Sequence, residues 1–573
     1  MDSFPPALIL LIGAAIVPFL PSAVRPWAFL VAPVLAFIQI FAVLEPEDAA
    51  HLDWLNLELL PMQVTELNEV WATVFALVGI AGGAFALHVK DRVQQGATLA
   101  YLGSALGVVL AGDLLTLITF WEMMAVASML LIMNGGRSLS KPAALRYLFV
   151  HIVGGSLLLA GILWHVGDTG SFELMRFDES TAGWLMFWGV AVNAAIVPLH
   201  AWLPDAYPES SATGMVFLGA FTTKTAVFVL MTGFVGWDIL LALGPLMAVY
   251  GAVYALVQND IRRLLAYHII SQVGFMVTAV GVGTGAMEAV ADQAFTHVLW
   301  PAVMVMGAGA VMHATGTTKL TQLGGLARPL RAVFGLYMVG AVSISLFPLL
   351  VGLGGAELFT EHGAGVARPW PLLLLLVASV GATLAVGVKL PYYAFFGGQR
   401  TPVTASVPRG MLVALGAGAA LSLAVGLAPA TTFDLLRLEL HPHGFTSANV
   451  VFGLEVFAFT LVAAWALLPR LAPRDVVTLD TDWFYRKAGA PVRLFIQQPL
   501  EWPFSLASRI VNKMVESVSR ITLVPESGWS RLLSLRGEPA TVISLLGRPP
   551  LGAAVAAIFV TFAVIVLIAA VFD

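Results

Sequence analysis

Sixteen apolar runs, each long enough to cross a bilayer, leave this chain few folds to choose from. They fall at about 5–22, 27–44, 68–90, 95–112, 113–134, 143–164, 183–203, 212–236, 238–258, 264–283, 287–313, 331–354, 371–396, 408–430, 448–468 and 549–572. A spanning helix needs about 20 apolar residues, since each adds roughly 1.5 Å against a hydrocarbon core of about 30 Å. Only 11% of the 573 residues are charged and the mean hydropathy is +0.89, a balance foreign to soluble domains of this size. The runs predict an all-α polytopic membrane protein with about 16 transmembrane helices. Zero cysteines exclude disulfides, thiolate metal sites and cysteine nucleophiles together. The opening MDSFPPALIL has no basic residue before its apolar run, so the first helix is expected to be retained.

Charge placement orients these helices. With the N-terminus outside, 24 of the 29 Lys and Arg residues fall in inner loops. Three (Arg176, Arg368 and Arg437) fall in outer loops, and Lys224 and Lys389 lie within spans. Positive loops stay inside, which puts both termini on the outer side of a bacterial cytoplasmic membrane. The outer stretch 45–69 is acidic, and the net charge of -5 gives no reason to expect nucleic acid as a partner.

Two spans are interrupted. In 191–230, Pro198 and Pro204 break an apolar helix and the next helix carries Lys224; in 343–358, Pro348 and Gly352 break another. A proline in a membrane helix frees backbone carbonyls, tolerated only where protein or water covers them. The interruptions lie five spans apart, which predicts two five-helix repeats, 95–236 and 238–396. An odd number of helices inverts the second relative to the first. N-terminal helices occupy 1–94 and two further helices 397–470. Residues 471–548 form a charged, proline-punctuated inner segment with an amphipathic helix over 504–522, and a last span occupies 549–573.

Few spans carry chemistry. A lysine at the bilayer centre costs about 2.5–3.5 kcal/mol on insertion scales and needs a polar partner. Glu122 is the natural candidate, and Asn193 and His297 fall at similar depth in their helices. Opening or closing a Glu122–Lys224 pair would change the hold of lysine on its proton, and His297 can relay protons. His151, His268, Lys389 and Glu455 also lie in spans. The plainer readings are a packing carboxylate, hydrogen-bonding histidines and, for Lys389, a lysine snorkelling to the inner end of its helix. Asp113 has the position of a helix cap. Phosphate loops, nucleophile elbows and zinc-protease motifs are absent, so neither cofactor nor metal is expected.

Three motifs make a resemblance specific: FWE at 120–122, PLHAWLPDA at 198–206 and QNDIRRLLAYHIISQVGF at 258–275. Over about 70–400 the chain resembles the antiporter-like subunits of respiratory complex I and of Mrp-type cation/proton antiporters. The segments TTKTAVFVL, with Lys224, and AYHIISQ, with His268, resemble those of the Mrp D-type component. The resemblance implies 14 core helices, inverted repeats, a proton-carrying polar axis on which Glu122 is the key glutamate, partner membrane subunits, lipids, and a monovalent cation. Three axis lysines of the family are replaced here, by Asn193, by Pro301 and by Ala356 beside Glu357. The implied function is a proton-conducting subunit of an Mrp-type antiporter. The alternatives are a non-pumping structural subunit of such a complex, or a proton channel in a complex-I-like or inorganic-carbon-uptake machine.

The charge asymmetry makes the topology testable. Reporters fused near 140, 261 and 322 are expected to read cytoplasm and fusions within 45–67 the outside; an inside signal at 45–67 would overturn the arrangement.

Overall fold

The computed structural model describes residues 4–54, 57–344, 369–398, 400–438, 440, 446–476, 479–481 and 483. Its helices are α1 (Pro6–Ile16), α2 (Arg25–Ala42), α3 (Glu66–Phe85), α4 (Arg92–Val109), α5 (Leu114–Met133), α6 (Ser140–Thr169) and α7 (Thr181–Asn193). There follow α8 (Trp202–Ala206), α9 (Gly214–Ala220), α10 (Thr222–Gly233), α11 (Asp238–Val257), α12 (Ile261–Val282), α13 (Met287–Thr315) and α14 (Arg331–Ser343). The remainder are α15 (Trp370–Thr383), α16 (Arg409–Leu427), α17 (Pro429–Leu435) and α18 (Ser447–Leu467). The helical path of α15 continues to Phe396 in wider π turns.

Among the described residues, 11 helical stretches are long and apolar enough to cross a membrane, with α1 and α14 shorter apolar helices. The expected count of 16 spans is therefore not confirmed among the described residues. The break cuts α7 to 13 residues. Helix α4 is diluted by Gln94, Gln95, Thr98 and Ser104, all buried against other helices. Pro348, Gly352, Ala356, Glu357, the helix expected at 504–522 and the run 549–572 lie outside the described residues.

The acidic outer stretch, expected as loop, folds instead as an antiparallel hairpin of β1 (Ala49–Trp54) and β2 (Leu57–Gln63), pairing Ala49 with Gln63 and Trp54 with Leu57. Leu59 and Met62 are buried, while Asp53 and Glu58, paired across the two strands, are exposed. Asp113 ties the hairpin down: its carboxylate accepts from Thr116 N (2.7 Å), capping α5 as expected, and from Leu60 N (2.8 Å).

Helices α11 and α12 pack at backbone contact. A Cβ on Gly251 would lie 2.4 Å from Ser271 N, and one on Gly274 would lie 2.6 Å from Ala248 N. Ser271 Oγ donates across the same seam to Ala248 O (2.8 Å). Small residues permit this approach where lipid supplies no hydrophobic drive for helices to associate.

The first interruption is present. Helix α7 stops at Asn193, and the chain passes through 194–201 before α8, the 3₁₀ turn Tyr207–Glu209 and α9. Pro198 lies in the gap. Pro204, expected to break the helix too, sits in the first turn of α8, where a missing N–H leaves no bond unmade. The carbonyls freed here all need partners, because hydrocarbon offers none. Trp202 Nε1 donates to Val192 O (2.9 Å), and Ser140 Oγ to Glu209 O (2.6 Å). Arg262, buried on α12, spreads its guanidinium over the turn, donating to Ser210 O (2.7 Å), Tyr207 O (3.2 Å), Ser211 O (3.0 Å) and Ser210 Oγ (3.0 Å). Arg146 holds Asp205 of α8 through two bonds of 2.7 and 2.9 Å.

Each buried acceptor stripped of its donor costs about 1–3 kcal/mol. Arg262→Ala is therefore expected to lower the thermal unfolding midpoint of the purified protein in detergent markedly. Arg262→Lys, lacking the planar fork, is expected to recover only part of the loss.

Candidate functional site

A second irregularity, at Phe221 between α9 and α10, positions Lys224. The Thr222 N–H donates to the Tyr101 hydroxyl (3.0 Å), which also bonds Thr222 Oγ1 (2.7 Å). Lys224 Nζ turns back to donate to Gly219 O (2.8 Å), and its own carbonyl accepts from Trp71 Nε1 (3.2 Å). The lysine is wholly buried.

His268 on α12 and His297 on α13 lie beside it. Their ring centroids are 6.1 Å apart, both are fully buried, and the Lys224 charge acts on both. None of their four ring nitrogens has a protein partner, and Thr223 Oγ1 is likewise buried and unpartnered. Native interiors hold few such groups, and each calls for an explanation such as a catalytic role or water between polar atoms. An amine and two imidazoles so placed are three groups that can each accept and release a proton.

The other expected site residues are scattered. Glu122 is only partly buried, with Oε1 pressed on α6: a Cβ on Gly155 would come within 1.7 Å of it. Among the described residues the salt bridges are Arg137–Glu209, Arg146–Asp205, His200–Asp480 and Lys319–Asp475; the anticipated Glu122–Lys224 pair is not formed. The curl of Lys224 onto Gly219 O is the physical reason, since it supplies that lysine with a partner on its own helix path. Asn193 ends α7 fully buried, with both amide atoms unpartnered. Lys389 does not snorkel. It is buried, and donates to Gln258 O (2.8 Å), just past α11, and to Leu256 O in its last turn. His151 bonds Tyr147 O (2.9 Å) and stands edge-on to Trp202 of α8, while Glu455 is exposed.

Sequence reasoning missed one constellation. Beyond α18 the chain returns to the break, where Asp480 meets His200 Nε2 (3.2 Å) and the hydroxyls of Tyr250 (2.5 Å) and Tyr267. His200 stood in the PLHAWLPDA motif, but TLDTDWF, which carries Asp480, has neither periodicity nor motif to mark it.

Spanning helices around a broken helix and a buried run of titratable groups define a multi-pass membrane protein with a polar interior. Residues 111–384 match the family described as NADH:quinone oxidoreductase/Mrp antiporter, TM. Over that stretch, just under half of its length, the chain is similar to the membrane subunits of this antiporter-like family. It is 28% identical over 376 residues to the D-type Na(+)/H(+) antiporter subunit of Alkalihalophilus pseudofirmus, covering 59% of this chain and 75% of that one. It is equally 28% identical over 389 residues to formate hydrogenlyase subunit 3 of Escherichia coli, covering 61% of this chain and 63% of that one. In structure it is similar to a chain of the Mrp complex from a Dietzia species, with a TM-score of 0.70, 21% identity, and coverage of 95% of this chain and 63% of that chain. The chain thus spans less than two thirds of the length of the latter two.

Proposed function

We propose that this chain is the proton-conducting subunit of a multisubunit membrane complex of the Mrp type, which exchanges protons for a monovalent cation. The observation that carries the reading is the buried cluster of Lys224, His268 and His297, an amine and two unpartnered imidazoles brought to one place by α10, α12 and α13. Lys224 is the central carrier, and the two imidazoles pass protons to and from it. Glu122, on the flank of the bundle, is the acid from which the route is filled. Asn193, a neutral amide, contributes hydrogen bonds but cannot hold a proton. Lys389 closes the route near the end of the bundle that carries Arg262 and Lys319. That basic end faces the cytoplasm of a bacterial cell, with both termini outside. The two inverted repeats, 95–236 and 238–396, belong to the same proposal.

A second reading has a specific observation behind it: the identity to formate hydrogenlyase subunit 3 equals that to the antiporter subunit. On that reading the complex is driven by a redox partner, not by a cation gradient. Proton movement in everted vesicles, followed with a pH-sensitive dye, separates the two. An antiporter responds to added sodium or potassium, a redox-driven complex to an electron donor.

In the same assay Lys224→Met and Glu122→Gln are each expected to reduce proton movement at least tenfold while the complex assembles at the parental yield. Glu122→Asp is expected to keep part of the activity. Because the two groups are not paired, exchanging them (Glu122→Lys with Lys224→Glu) is not expected to restore it. Parental transport in the Lys224→Met, Glu122→Gln double variant would sink the reading in favour of a structural subunit.

A further inference from the structure

The segment that follows α18 ends on the break. Lys319 Nζ bonds Asp475 (3.0 Å), Tyr254 donates to Leu479 O (2.9 Å), and Thr481 Oγ1 reaches Pro198 O (3.5 Å) inside the interruption. Between them Asp480, its side chain only 4% exposed, receives four donors: His200 Nε2, the Tyr250 and Tyr267 hydroxyls, and the Thr481 N–H (2.5 Å). A carboxylate can accept that many bonds, and the three side chains reach it from the break, α11 and α12.

His200 is the unusual member. Its side chain is wholly buried, and while Nε2 faces the carboxylate, Nδ1 is buried without a protein partner. A ring nitrogen so placed is wasted in a simple strut, for which a serine or asparagine would serve. An imidazole is different because the bond made by one nitrogen decides the state of the other. A carboxylate accepts only, so Nε2 must carry the hydrogen, and in the neutral ring Nδ1 must then be the bare, proton-accepting atom.

We propose that Asp480 is a positioning residue for proton transfer, docking the segment 479–481 onto the broken helix and fixing His200 with Nε2–H on the carboxylate and Nδ1 as a proton acceptor within the protein. A proton arriving at Nδ1 makes an imidazolium, whose charge the carboxylate faces, and the same proton leaves from Nδ1 when the ring discharges. Tyr250 is the other titratable group against His200, its ring edge-on at 4.6 Å between centroids; Tyr250 and Tyr267 are those against Asp480. Burial alone would raise the Asp480 carboxyl, but the hydrogen bond from His200, the charge that ring carries whenever it is protonated, and the two tyrosine hydroxyls hold it well below the usual carboxylate range. It therefore stays an ionised anchor and does not itself shuttle the proton. The inference rests on the proton-conducting reading for its consequence, though not for its geometry.

The test uses the full-length chain labelled with ¹⁵N-histidine, assembled with its unlabelled partner subunits in lipid. The His200 signal is assigned by its loss in His200→Gln. Solid-state NMR of the neutral ring is expected to show hydrogen on Nε2 in the parent. In Asp480→Asn, whose amide can donate to Nε2, the hydrogen is expected on Nδ1, with proton movement down at least tenfold at parental assembly. Asp480→Glu is expected to restore the parental tautomer and part of the rate. Hydrogen on Nδ1 in the parent overturns the proposal without any variant, and so does parental transport in Asp480→Asn. Parental transport in Lys224→Met would instead sink the transport reading, while the tautomers would still decide the role of Asp480.

Discussion

The guanidinium of Arg262 over the turn at 207–211 is the interaction on which the rest of the structure depends. That turn is packed among helices and shut off from water, where a carbonyl left bare costs about 1–3 kcal/mol. Arg262 gathers three such carbonyls and a hydroxyl. The gap at 194–201 has its own partners, with Trp202 Nε1 on Val192 O, Thr481 on Pro198 O and Asp480 on His200. The same solution recurs twice in the described residues. Tyr101 and Lys224 serve the irregularity at Phe221, and Lys389 serves the end of α11. Long polar side chains that composition alone would count as an insertion cost are thus employed in closing gaps in the backbone ladder.

This accounts for what was legible in the sequence. Apolar runs and basic loops announce a polytopic helical protein because length and charge act locally, within one helix and its flanks. The break at Pro198 was legible for the same reason, as was the Asp113 cap. Partners were not. Lys224 was expected to need Glu122, since a charge in hydrocarbon demands a counter-charge; the chain supplies instead a carbonyl five residues away, an option that only the kink at Phe221 creates. The hairpin at 49–63 was hidden by its own acidic face. Asp480 was invisible because nothing in sequence ties it to a histidine 280 residues earlier.

The absence of a Glu122–Lys224 pair changes what the polar interior can do. A fully paired lysine is held by its counter-ion and costs several kcal/mol to separate from it. Lys224 is held by one carbonyl dipole instead of a counter-charge, with two imidazoles beside it. Among the described residues this cluster is where the chain concentrates buried nitrogens that the protein does not satisfy, and such groups persist where exchange with water or with each other has a use.

The most direct test is proton movement by the assembled complex carrying His268→Gln and His297→Gln together. Both replacements keep polar, hydrogen-bonding side chains of similar size but cannot take up a proton. If the cluster carries protons, the rate in everted vesicles falls at least tenfold while the complex is recovered intact. A parental rate from an intact complex would contradict the account, and would make the buried histidines packing residues of a subunit through which no proton passes.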